Sequence, residues 1–121
     1  MMRTARRALT VLLLMTTLGG PSIARADGLR PEFTVDRARA CRPRVVGYLY
    51  NDNDLRNAAN VRLRIEQLTP AGTVGKVYQS FIVGDVISRN RSFFDVPVSE
   101  PDGAANYRVL VESVDWVMEC R

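Results

Sequence analysis

The chain has 121 residues, with 17 Lys or Arg against 13 Asp or Glu, two Cys and no His. That length supports one domain with a modest core and not two. The missing imidazole removes the commonest general acid–base group, the usual partner of Ser and Cys nucleophiles, and the commonest metal ligand.

The first 26 residues read as a cleavable secretory signal peptide and supply the only helix expected. Arg3, Arg6 and Arg7 form the basic head. Only Thr10, Thr16 and Thr17 interrupt the apolar run from Ala8 to Leu18, and Gly19-Gly20-Pro21 breaks it before the small-residue pattern Ala24-Arg25-Ala26. The run is shorter than the roughly 18 residues that span a bilayer, and the first cysteine, Cys41, is too far along to receive a lipid at the processing site. Cleavage between Ala26 and Asp27 therefore leaves no stable membrane anchor and a periplasmic or secreted product. Removing 26 of 121 residues leaves 95, and Arg3, Arg6, Arg7 and Arg25 go with the signal, so 13 basic residues remain against 13 acidic ones. A near-neutral mature chain gives no electrostatic reason to expect nucleic acid as a partner.

Residues 27–44 carry Pro31, Pro43 and five arginines without a sustained apolar period, which predicts an N-terminal extension with one short strand at Phe33 to Val35. The domain proper is expected over 45–121. Val45 to Tyr50 is β-branched and aromatic and predicts a strand, stopped by the turn-forming Asn51-Asp52-Asn53-Asp54. Apolar and charged residues alternate strictly from Val61 to Glu66, the mark of a half-buried strand with Val61, Leu63 and Ile65 inward and Arg62, Arg64 and Glu66 in water. Thr69-Pro70-Ala71-Gly72 predicts a tight turn into a second apolar run, Val74 to Val83, so that the two strands form a hairpin. Phe93 to Val98 predicts a strand that lies at an edge or ends at Pro97, which cannot donate to a ladder. Glu100-Pro101-Asp102-Gly103 is a turn sequence, and Tyr107 to Trp116 the last and longest strand. The expected fold is all-β, a small immunoglobulin-like sandwich of six or seven strands.

Cys41 and Cys120, the only cysteines, are expected to pair in an oxidising compartment. The bridge would close a loop of roughly 80 residues, for which chain entropy sets an upper contribution of about 4 to 5 kcal/mol. No catalytic, cofactor-binding or metal-ligating residue is assigned. The carboxylates lie mainly in turns or on solvent faces, where raising a pKa for acid catalysis is hard. Asn51-Asp52-Asn53-Asp54 superficially resembles a calcium loop, but Asn57 stands where Gly is needed and Leu63 where Glu is needed. Arg30, Arg37, Arg39, Arg42 and Arg44 are the densest basic stretch, diluted by Asp27, Glu32 and Asp36, and read as a solvated, partly self-paired segment. Tyr48, Tyr50, Phe93 and Trp116 are the large aromatics that alternation divides between core and outer face, with burial the commoner fate.

The order Val46-Gly47-Tyr48-Leu49-Tyr50-Asn51, then Ala59-Asn60-Val61-Arg62-Leu63, Leu68 through Gly72, Phe94 and Tyr107-Arg108-Val109 resembles the FxLYD-type domains, small extracytoplasmic bacterial modules with an immunoglobulin-like sandwich. The resemblance covers roughly residues 45 to 116. It departs from the family pattern at Gln67 to Pro70 and at Ile87 to Asn90. It implies a noncatalytic module and transfers no catalytic residue. The expected function is that of a secreted or periplasmic binding or structural module, without cofactor, acting on a protein partner in the cell envelope. The alternative is an inhibitor or accessory subunit of a cell-envelope enzyme. N-terminal sequencing of the exported protein is expected to begin Asp27-Gly28-Leu29; a retained precursor N-terminus would contradict the signal reading.

Overall fold

The computed structural model describes residues 28–38 and 42–118. The signal segment, the Ala26–Asp27 junction and both cysteines, Cys41 and Cys120, lie outside the described residues. Six strands make up the fold: β1 (Leu29–Asp36), β2 (Arg44–Asn51), β3 (Arg56–Leu68), β4 (Val74–Phe81), β5 (Arg91–Pro97) and β6 (Asn106–Met118). They form two three-stranded antiparallel sheets, ordered β1-β2-β5 and β4-β3-β6, and no helix occurs among the described residues. The chain is thus an all-β sandwich, as its alternation and turn spacing predict.

Five of the six strands send buried side chains into one shared core, and β4 adds only the partly buried Tyr78. Leu29 from β1, Val45 and Leu49 from β2, and Phe94 and Val96 from β5 join Val61, Leu63 and Ile65 from β3 and Val109 from β6. The hairpin expected from Thr69 to Gly72 joins β3 to β4, with the Gly72 amide donating to the Thr69 carbonyl at 2.8 Å and Gly72 at φ +85. That left-handed angle is one that glycine adopts without steric cost. β5 is an edge strand and ends at Pro97, so both consequences of that proline hold.

Three differences from the sequence reading have physical causes. First, residues 29–36 of the expected extension form β1, which pairs along all eight of its residues with β2, so among the described residues the sandwich begins at Leu29 rather than at 45. Leu29, Pro31, Phe33 and Val35 do alternate with Arg30, Glu32, Thr34 and Asp36; Pro31 disguises the pattern, and it is tolerated because β1 is an edge. Second, β3 is 13 residues long and starts at Arg56. Its register against β6 shifts between Ala59 and Arg62, where Asn60 takes φ 52, a left-handed conformation that asparagine tolerates. The extra residue sets the inward positions at Ala58, Val61, Leu63 and Ile65, a spacing no simple period contains. Third, Glu66 faces outward yet is only 6% exposed, covered by the Arg64 and Arg108 guanidinium groups, and these hold its carboxyl below the usual range.

Gly47 is required by close approach rather than by a turn. A Cβ built there would lie 2.0 Å from the Glu32 carbonyl oxygen and 2.7 Å from the Phe33 Cα, both backbone atoms of β1. Gly47→Ala is therefore expected to push β1 off β2 and to cost about 1–3 kcal/mol, the range for overpacking. Urea unfolding would read this as a lowered midpoint; an unchanged midpoint would show that β1 gives way freely.

Candidate functional site

The outer face of the β1-β2-β5 sheet carries an ordered aromatic and arginine shelf. In β2, Tyr48 and Tyr50 point away from the core because Val45 and Leu49 point into it. The same parity in β5 buries Phe94 and leaves Phe93 57% exposed. Antiparallel register then places two rows side by side, Arg30–Tyr50–Arg91 and Glu32–Tyr48–Phe93. Cross-strand neighbours of this kind touch directly.

The rings of Tyr48 and Phe93 meet edge to face with centroids 5.6 Å apart, and Tyr48 and Tyr50 lie 6.3 Å apart. The Arg91 guanidinium sits 4.0 Å above the Tyr48 centroid and its Nη1 donates to the Tyr50 hydroxyl at 3.2 Å. Arg30 lies 4.4 Å above the Tyr50 ring and donates through Nε to Asp52 at 3.1 Å, and it also pairs with Glu32. Both cations are stacked on negative ring faces, an arrangement worth about 0.5–1 kcal/mol each at exposed sites. Strand parity puts Tyr48 with Tyr50 on one face and was readable in the sequence, whereas Arg91 joins Phe93 only because β5 starts two residues before the strand expected from Phe93. The cross-strand register that brings the pairs together was not readable either.

The other groups singled out in the sequence occupy structural positions. Asn51 is 1% exposed and its Nδ2 donates to the carbonyls of Arg56 and Val86, both at 2.9 Å, while its Oδ1 accepts from the Asn53 amide at 3.0 Å. Asp52 pairs with Arg30, and Asp54 with Arg89 at 2.8 Å, so the oxygens of this turn do not converge. No group of three or more metal-ligating side chains occurs among the described residues. In the basic stretch, Arg37 pairs with Glu100 and Arg44 with Asp95. Trp116 packs partly buried against the core, with the Arg56 guanidinium 4.4 Å above its ring.

The two cysteines are outside the described residues, and so is the bridge expected between them.

A second polar cluster closes one end of the sandwich. The Glu100 carboxylate, 8% exposed, accepts from Arg37 Nε at 2.8 Å, Arg37 Nη2 at 2.9 Å, the Ala105 amide at 3.1 Å and the Tyr107 hydroxyl at 2.7 Å. Gln67 Nε2 donates in turn to the Tyr107 hydroxyl at 3.0 Å. The Arg37 contacts, with Tyr107 and Ala105, pull Glu100 down to about 2, and burial together with the Glu100 charge pushes Tyr107 up to about 12. A carboxylate so held carries no proton to give at neutral pH, so the cluster suits fixing residues 100–105 to the end of β1 rather than acid catalysis. It borders a shallow cleft of about 340 Å³ lined also by Leu68, Pro70 and Asn106.

Compared with known proteins, the chain matches no protein-family model, no curated protein and no solved structure.

Because the folded-state value of Glu100 lies below the 4.5 of an ordinary carboxyl, its stabilisation is complete above about pH 4.5 and is lost as the pH falls toward 2. Glu100→Gln is expected to lower the melting temperature at pH 7 and to flatten its decline below pH 4.5. A melting curve against pH checks both; identical profiles for the two proteins would remove Glu100 from the account.

Proposed function

We propose that this domain is a noncatalytic binding module of the periplasm or secreted space, of the immunoglobulin-like, FxLYD type that its sequence resembles. Its binding surface is the outer face of the β1-β2-β5 sheet, and its partner is a protein of the cell envelope. The observation that carries this reading is an ordered aromatic cluster on the outer face of the sheet, with Phe93 exposed, Tyr48 and Tyr50 half-buried, and two arginines stacked upon it. Tyr and Arg are the residues that most often dominate interface energetics, and a face already held in register loses little side-chain freedom on binding. Neither a cofactor nor a nucleic acid enters the proposal.

Crosslinking in the native envelope, followed by purification and mass spectrometry, is the direct test. One stoichiometric partner should be recovered with the wild-type protein. The double substitution Tyr48→Ser and Phe93→Ser should abolish its recovery while the protein still unfolds cooperatively, at a melting temperature lowered only by the lost ring contacts, since both side chains lie outside the core. Recovery of the same partner by the double variant would move the binding surface elsewhere. Saturable turnover in a broad hydrolase panel would overturn the noncatalytic assignment.

A further inference from the structure

On the aromatic shelf the charges are not equally neutralised. Arg30 is held by Asp52 and Glu32, and Arg44 by Asp95. Arg91 has no carboxylate partner among the described residues; its contacts are the Tyr48 ring, the Tyr50 ring at 5.9 Å and the Tyr50 hydroxyl. A guanidinium stacked on a ring keeps its N–H groups in its own plane, and here only Nη1 is engaged, by a neutral acceptor. One face of the cation has already lost its water to Tyr48, while the planar fork that suits a carboxylate remains open.

We propose that Arg91 is the seat for a carboxylate on an extended segment of the protein partner, and that Phe93 receives an apolar side chain two residues away on that segment. The inference rests on the binding face proposed above. Its geometry is that of the strand itself. Arg91 and Phe93 project from the same face of β5 two residues apart, about 6.6 Å at the usual rise. An extended peptide repeats its own side chains on one face with the same spacing, so an acidic residue, any residue and an apolar residue in sequence fit both positions at once. Charge complementarity selects the acidic member, because Arg91 is the cation on this face without a counter-charge among the described residues. A glycan fits less well. Sugar hydroxyls need acceptors as well as donors, and the carboxylates beside the shelf are already engaged, Glu32 and Asp52 by Arg30 and Asp95 by Arg44.

A displayed library of random linear peptides, panned against the exported protein, tests this directly. The expected result is enrichment of Asp or Glu followed two residues later by an aromatic or aliphatic residue. A synthetic peptide of the enriched sequence should bind about tenfold more weakly to Arg91→Gln, the loss expected for one charge-assisted hydrogen-bonded contact, and its affinity should fall with added salt. Arg91→Lys should restore little, since it keeps the charge and loses the fork. Arg91 is exposed and outside the core, so both variants should stay folded and unfold cooperatively, with a melting temperature lowered only by the loss of its stacking. Enriched peptides without a carboxylate that still require Tyr48 and Phe93 would overturn the Arg91 assignment and leave the binding face standing. Peptides indifferent to all three residues would overturn both. A library without binders, or polygalacturonate binding that depends on Arg91 and displaces the peptides, would also overturn the assignment.

Discussion

A three-stranded sheet cannot bury either of its faces alone, and an isolated one would leave its apolar side in water. In this chain Leu29, Val45, Leu49, Phe94 and Val96 of one sheet share a single cluster with Val61, Leu63, Ile65 and Val109 of the other. The strict side-chain period of a strand then assigns every remaining position to one of two outer faces. Tyr48, Tyr50 and Phe93 are on the surface because their neighbours are in the core. The shelf is thus a consequence of register, and a one-residue slip of β2 or β5 would exchange it with the core.

Backbone and polar constraints hold that register. Gly47 admits the backbone of β1, and the buried Asn51 joins the end of β2 to the Arg56 and Val86 carbonyls. At the other end Arg37 and Glu100 tie β1 to the connection between β5 and β6. An edge strand that carries Pro31 and makes one neighbouring pairing is the element most in need of such ties, because it lacks a second ladder.

The two outer faces differ in chemistry. On β4-β3-β6, Glu66 is enclosed by Arg64 and Arg108, Gln79 donates to Glu112 at 2.7 Å, and the Arg62 guanidinium lies 5.0 Å over the exposed Phe81 ring. The charged groups of that face thus largely pair with one another, and its exposed apolar side chains include Val77 and Phe81. On β1-β2-β5 the rings form a contiguous group, and the guanidinium of Arg91 is held by rings and a hydroxyl rather than by a counter-charge. Self-paired charge gives a partner little to gain, whereas stacked rings and a preorganised cation offer area and direction together.

Most of the all-β architecture was legible in the chain itself. The alternation Val61 to Glu66, the turn Thr69 to Gly72 and the stop at Pro97 each follow from local chemistry, and each appears where it was expected. Local pattern also put Tyr48 with Tyr50 on a common face, whereas Arg91 fell before the strand expected from Phe93 and joins Phe93 on one face only because β5 starts at Arg91. It failed where a local signal had two meanings. Pro31 marks a break within a central strand but is harmless at an edge, and only strand order makes β1 an edge. Asn60 marks a turn in isolation, yet here it carries a bulge that moves Ala58 into the core. The sequence determined which side chains share a strand face, because that depends on a period of two. Tertiary structure decided which strands lie together, and hence that Arg91 rests on Tyr48, because cross-strand register is a long-range property that no local period encodes.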